Sequence, residues 1–194
     1  MGYSRFFNCL NLDNIKNKTI YKYIVVSIKK KVLTEQSIYF GDVSMPKHWE
    51  IDQNDLAHHI LQSTFDNKKF PFSRTFDKLN TYVQDFIKLN YNFSLINKKT
   101  WGNIYKSQEI SPPLLNIDPV DLRNSPDYTL LYGVKVDDCI VRIHYDDNRR
   151  KGRSWDIELK NNMFIMFPST NMYYITNNQK DSLNFIQTLT YEFI

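Results

Sequence analysis

Apolar and polar positions change rhythm twice along the chain. Residues 20–28 (IYKYIVVSI) and 36–40 (QSIYF) are β-branched and aromatic and predict strands, separated by the Lys29–Lys31 run, which reads as a solvated turn. Between Asp52 and Phe65 the period becomes helical, with Leu56, Ile60 and Leu61 on one face and Asp52 available as a cap. A second helix follows from Thr75, its expected cap, because Phe76, Leu79, Val83, Phe86 and Ile87 recur at spacings of three and four. From about residue 91 short strands with turn signals take over: 103–105, 128–136, 139–145, 155–159, 163–167, 172–176 and 183–193. The break at 111–124 (SPPLLNIDPVDLRN) carries three prolines and cannot be a central strand. The expected architecture is α+β: one domain over 1–194, with a strand-like extension at 1–45 and, over 46–194, two flanking N-terminal helices on an antiparallel β-sandwich.

Composition supports strands over helices. The chain of 194 residues has one alanine, Ala57, against 39 β-branched residues, 13 Tyr and 13 Phe. No apolar run reaches the roughly 20 residues of a membrane span, and the first residues lack the apolar stretch of a secretory signal. Cys9 and Cys139 are too far apart in sequence to suggest a zinc cluster or a disulfide scaffold, so reduced thiols in a cytosolic compartment are expected. A formal charge of +4 is too small to indicate nucleic acid as a partner. The abundance of Asn, Lys and Ile, with 18 Lys to 7 Arg, suits AT-rich coding DNA, as in a small microbe or its virus.

The block MFIMFPSTNMYYIT at 163–176, followed by NNQKDSLNFIQTLTYEF at 177–193, resembles the closing strands of the double-stranded β-helix (jelly roll) of 2-oxoglutarate/Fe(II) oxygenases, in the small versions carried by marine tailed phages. WGNIY at 101–105 and LYGV at 131–134 resemble its earlier strands. The resemblance implies a facial triad of two histidines and a carboxylate holding Fe(II), plus an arginine for the cosubstrate. Aligned on Phe167–Ser169, the distal histidine falls on Tyr173, the arginine near Gln187, and the proximal H-x-D pair on Asn116 and Asp118, so only the carboxylate is kept. A rival register takes His144 and Asp146 as the proximal pair, but no histidine follows His144, and His48, His58 and His59 precede the barrel.

Elsewhere, DDNRRKGR at 146–153 reads as a long hairpin tip. Its Arg149, Arg150, Lys151 and Arg153 could also bind a phosphate or an acidic protein surface, and the absence of an accompanying stacking platform argues against nucleic acid. Trp49, Trp101, Trp155, Tyr173 and Tyr174 read as core or strand-face residues, with Tyr173 filling the space of the iron. No nucleotide-binding, serine-hydrolase or zinc-protease motif occurs.

The expectation is therefore a non-catalytic interaction module without cofactor. Most concretely, it would be a structural component of a phage virion (neck, tail, baseplate or capsid), made in the host cytoplasm and bound to other protein subunits. The alternative is a 2-oxoglutarate/Fe(II) oxygenase-like enzyme hydroxylating a protein or small molecule, with Asp118, or His144 and Asp146, as residual ligands. A lectin-like sugar binder is a third reading.

Overall fold

The strand that closes the chain is buried on both faces, and this decides how everything else is layered. In the computed structural model, which describes residues 36–45, 49–65, 74–148 and 151–194, all described elements belong to one unit, Gln36–Ile194. They are β1 (Tyr39–Asp42), α1 (Gln53–Phe65), α2 (Arg74–Tyr91), β2 (Leu95–Tyr105), β3 (Tyr128–Lys135), β4 (Cys139–Asn148), β5 (Lys151–Leu159), β6 (Met163–Pro168), β7 (Tyr173–Asn177) and β8 (Asn184–Phe193). Five strands form a major sheet in the order β1-β6-β3-β8-β2, and three form a minor sheet in the order β5-β4-β7, all antiparallel.

Alternation along the major sheet feeds two cores. Leu130, Tyr132, Phe164, Met166, Phe185 and Leu189 point to the helices, where Leu56 and Ile60 of α1 and Leu79, Val83 and Ile87 of α2 meet them. Their neighbours Leu131, Ile165, Phe167 and Ile186 point the other way, to Cys139, Val141, Ile143, Ile157 and Ile175 of the minor sheet. The barrel interior is thus one apolar layer and the helix seam another.

Both expected helices form. Asp52 caps α1 as read, its Oδ1 accepting from the backbone N–H groups of Asn54 (3.0 Å) and Asp55 (3.1 Å). Thr75 does not cap α2: the helix already includes Arg74, and Thr75 is buried. The strand expected over 103–105 is the last part of the 11-residue β2, whose polar LINKK start concealed it. The strand expected over 20–28 lies outside the described residues.

The proline-rich break behaves as an edge. Bridges join Ile110 to Thr176 and Leu114 to Tyr173, with Leu114 and Tyr173 exchanging backbone bonds at 2.9 and 3.0 Å. Pro112 and Pro113 have no N–H to continue the ladder, so the segment runs beside β7 without becoming a full strand.

Two glycines permit the layers to approach. A Cβ at Gly102 would strike the Ile60 side chain, and one at Gly133 would strike the Lys160 backbone carbonyl. Side chains can shift and backbone cannot, so Gly102→Ala is expected to cost about 1–3 kcal/mol and Gly133→Ala at least about 3 kcal/mol in urea unfolding. The reverse order would contradict this packing.

Candidate functional site

One end of the barrel is built from residues that follow or begin strands: 114–118 after the edge segment, Thr129 on β3, Ser169 after β6, and Tyr173 opening β7. Leu114 opposite Tyr173 and Tyr128 opposite Pro168 fix their register. There the Asn116 amide donates to Tyr173 Oη and to Thr129 Oγ1, each at 3.1 Å, and Thr129 Oγ1 lies 2.8 Å from Ser169 Oγ. Thr129, Ser169 and Tyr173 are buried, and the Tyr173 ring meets Phe167 edge-on at 5.1 Å. Burial pushes the Tyr173 phenol up to about 12, while the Asn116 bond pulls the other way. The group is therefore a neutral hydroxyl in a line of neutral hydrogen-bonding groups. Deeper in the barrel, Asn103 donates to Thr188 Oγ1 at 3.0 Å.

Asn116 and Tyr173, which the resemblance assigns to the imidazole positions, are thus brought into direct contact. Asp118 is not part of this contact. It is exposed, its Oδ1 accepts from Val120 N (2.9 Å) and its own N–H donates to Ser125 Oγ (2.8 Å), so it shapes a turn. Gln187, near which the resemblance puts the cosubstrate arginine, pairs with Tyr132 and Gly102 on the helix side of β8, and the neighbours Thr188 and Thr190 take the barrel face.

The rival register fails by the same geometry. Val141 and Ile143 fill the barrel, so Arg142 and His144 face outward. His144 lies 5.2 Å from the Tyr174 ring, and Arg142 holds Asp156 through two bonds at 2.7 and 2.8 Å. The side chain of Asp146 lies outside the described residues. His58 and His59 sit on α1, the former 3.0 Å from Gln62 and the latter 3.6 Å from Asp55; His48 lies outside the described residues. Among the described residues no three His, Cys, Asp or Glu side chains are grouped to hold a metal ion. The described residues at the barrel end do not fit iron. Of the basic hairpin, Arg153 is exposed on β5, while Arg149, Arg150 and the Lys151 side chain lie outside the described residues.

The sequence reading missed Thr129 and Ser169, and two clefts formed beside the ends of β4, β5 and β6. A cleft of about 220 Å³ is lined by Gln36, Ile38, Tyr145, Trp155, Pro168 and Asn171. A second of about 420 Å³ shares Gln36, Tyr145 and Asn171 and adds His144, Gly152, Thr170 and Met172. Trp155, expected as core or strand face, is 44% exposed here, with Phe40 edge-on at 5.4 Å. Its position on the inward face of β5 near the hairpin, opposite Ile143, was the available signal.

No protein-family model and no curated protein matches the chain. Solved structures do. A prolyl-4-hydroxylase from Pseudomonas putida is 10% identical with a TM-score of 0.54, covering 81% of this chain and 88% of its own. A prolyl hydroxylase from Trichoplax adhaerens, solved with a hypoxia-inducible-factor peptide, is 11% identical with a TM-score of 0.55 and coverage of 80% and 83%. The α-ketoglutarate-dependent epimerase SnoN of nogalamycin biosynthesis is 7% identical with a TM-score of 0.57 and coverage of 80% and 77%. The chain has the fold of the 2-oxoglutarate/Fe(II) oxygenases. This corrects two expectations. The non-catalytic virion component has no counterpart among these structures, which are named as enzymes. The expectation of no cofactor runs against oxygenase-fold relatives such as SnoN, solved with Fe3+ and α-ketoglutarate.

Two stability measurements probe the site. The Gln187 amide is buried with neither its oxygen nor its nitrogen partnered among the described residues. Gln187→Met should therefore raise the unfolding free energy by about 1–2 kcal/mol, and a loss of similar size would show a hidden partner. Burial also drives Tyr132 to about 12 and raises Tyr105 and Tyr191. Folded-state values above the ordinary 10.0 mean that this contribution is intact below pH 10 and is lost as pH rises through 12. In urea titrations, Tyr173→Phe should reduce that alkaline loss by on the order of 2 kcal/mol; an unchanged pH slope would contradict the burial.

Proposed function

We propose that the chain is an oxygenase-like protein that seats a protein or small-molecule ligand at the open end of its barrel, and that Asn116 and Tyr173 stand where the fold's imidazoles would otherwise be. The 3.1 Å bond between these two side chains carries the reading. Two positions that alignment alone brings to an iron are, in this chain, occupied by an amide and a phenol that satisfy each other. Neither supplies an imidazole: of the Asn116 amide only the carbonyl oxygen could approach a cation, and a neutral buried phenol keeps its proton, so the pair does not reproduce the donor set of a two-histidine, one-carboxylate iron site.

A second reading is favoured by the fold relatives, which are hydroxylases and an epimerase. In it the chain is an iron- and 2-oxoglutarate-dependent oxygenase acting on a protein or small molecule, and it needs imidazoles that the described residues do not bring to the barrel. One experiment separates the two. The full chain is loaded anaerobically with Fe(II), desalted, analysed for iron, and then assayed for 2-oxoglutarate-dependent succinate release. In parallel, peptides and metabolites are screened by thermal shift against wild type and Trp155→Ala. The first reading expects iron far below one equivalent, no succinate, and ligand shifts that vanish in Trp155→Ala. About one iron per chain with succinate release would establish the second reading instead.

A further inference from the structure

We infer that the clefts beside Trp155 take a nucleotide unit, its base laid on the indole and bonded at its edge by the side-chain amides of Gln36 and Asn171, its phosphate held by Arg153. This rests on the reading that a ligand sits at the open end of the barrel, and it names the class.

The first observation joins a cation to an aromatic face. Arg153 stands opposite Tyr145 and Trp155 opposite Ile143, so both β5 side chains belong to the inward face of their strand, two residues and about 7 Å apart. Trp155 is 44% exposed, and Arg153 is exposed as well. The guanidinium also makes an interaction within the chain; with five donors in a planar fork it can hold an oxyanion besides. Its surroundings are cationic whatever pairs form within the hairpin, because residues 146–153 hold two Asp against three Arg and one Lys, a formal charge of +2. Asp156, the next acid along β5, faces outward and is held by Arg142 at 2.7 and 2.8 Å. His144 lines the adjoining cleft and adds a cation when protonated. The basic hairpin thus gains the stacking platform that residues 146–153 lack by themselves. An aromatic plane accepts the face of any base, and a neighbouring cation takes its phosphate.

The second observation is shape. The cleft bounded by Trp155, Tyr145 and Pro168 measures about 220 Å³, below the usual size of drug-like sites, which suits one planar base. The adjoining cleft of about 420 Å³ has room for sugar and phosphate. The two share Gln36 and Asn171, whose amides each offer a donor and an acceptor side by side, the pattern that matches a base edge. A dicarboxylate would meet the cation and leave the indole bare, and a neutral ring would cover the indole and use none of the positive charge. A nucleotide answers both.

The test uses the full chain with AMP, GMP, CMP and UMP, each beside its nucleoside, and with inorganic phosphate, 2-oxoglutarate and a short single-stranded oligodeoxynucleotide as further probes. Binding is read by tryptophan fluorescence and saturation-transfer NMR. The expected result is that at least one monophosphate binds about tenfold more tightly than its nucleoside, and that Trp155→Ala weakens it by about tenfold. Arg153→Gln, at an exposed position, should bring the monophosphate down to the level of its nucleoside, and it carries the test if Trp155→Ala does not fold. An oligonucleotide that binds more tightly than the monophosphate, with the same dependence, makes the source a strand; one that binds no better makes it a free nucleotide. Nucleoside binding as tight as that of its monophosphate, displacement of the nucleotide by equal inorganic phosphate or 2-oxoglutarate, or binding indifferent to both substitutions overturns the inference. If every nucleotide fails while a peptide or another metabolite binds in a Trp155-dependent way, the nucleotide class is wrong and the ligand-site reading stands. If nothing in any set depends on Trp155, both are wrong.

Discussion

Burying the central strands of one sheet on both faces is the constraint from which the rest follows. β8 and β3 must present one apolar set to the helices and another to the minor sheet, so every residue along them is committed to a side. Such strands cannot slip, since a shift of one residue would exchange the two cores. Fixed register in turn fixes which residues gather at the barrel end, and there the strand ends put Asn116, Thr129, Ser169 and Tyr173 within hydrogen-bonding distance.

That cluster sits at the junction of stability and chemistry. The same burial that keeps the Tyr173 phenol protonated makes its bond to Asn116 a neutral one, insensitive to ordinary pH. A fold shared with iron enzymes therefore presents, in this chain, a group of hydroxyl and amide side chains at the barrel end. The hairpin of β4 and β5 and the turn before β7 supply Tyr145, Trp155 and Asn171 to the cleft nearby.

The helices and most strands were legible because their signals are local: a period of 3.6 over 76–87, a cap at Asp52, a short apolar run over 128–136. The contact between Asn116 and Tyr173 is long-range: the edge segment is laid beside β7 by the Leu114–Tyr173 bridge, which no local signal announces. The face of Gln187 was not legible: position along β8 fixes a side only once the register with β2 and β3 is known, and that register puts Gln187 beside Tyr132 and Gly102 on the helix side. β2 was read as three residues because its first half, NKKT, is polar where it borders solvent. The clefts escaped notice because their residues come from four separate places in the chain, Gln36, Tyr145, Trp155 and Asn171, with no spacing to connect them. The assignment to a virion was drawn from the missing imidazoles together with a phage-like resemblance, and neither speaks to where a protein works.

Diffraction at the iron absorption edge, from crystals of the full chain soaked anaerobically in Fe(II), addresses the central claim most directly. The account predicts continuous density from the Asn116 amide to the Tyr173 hydroxyl and no anomalous peak between them. A peak seated at that position, with the two side chains parted around it, would contradict it.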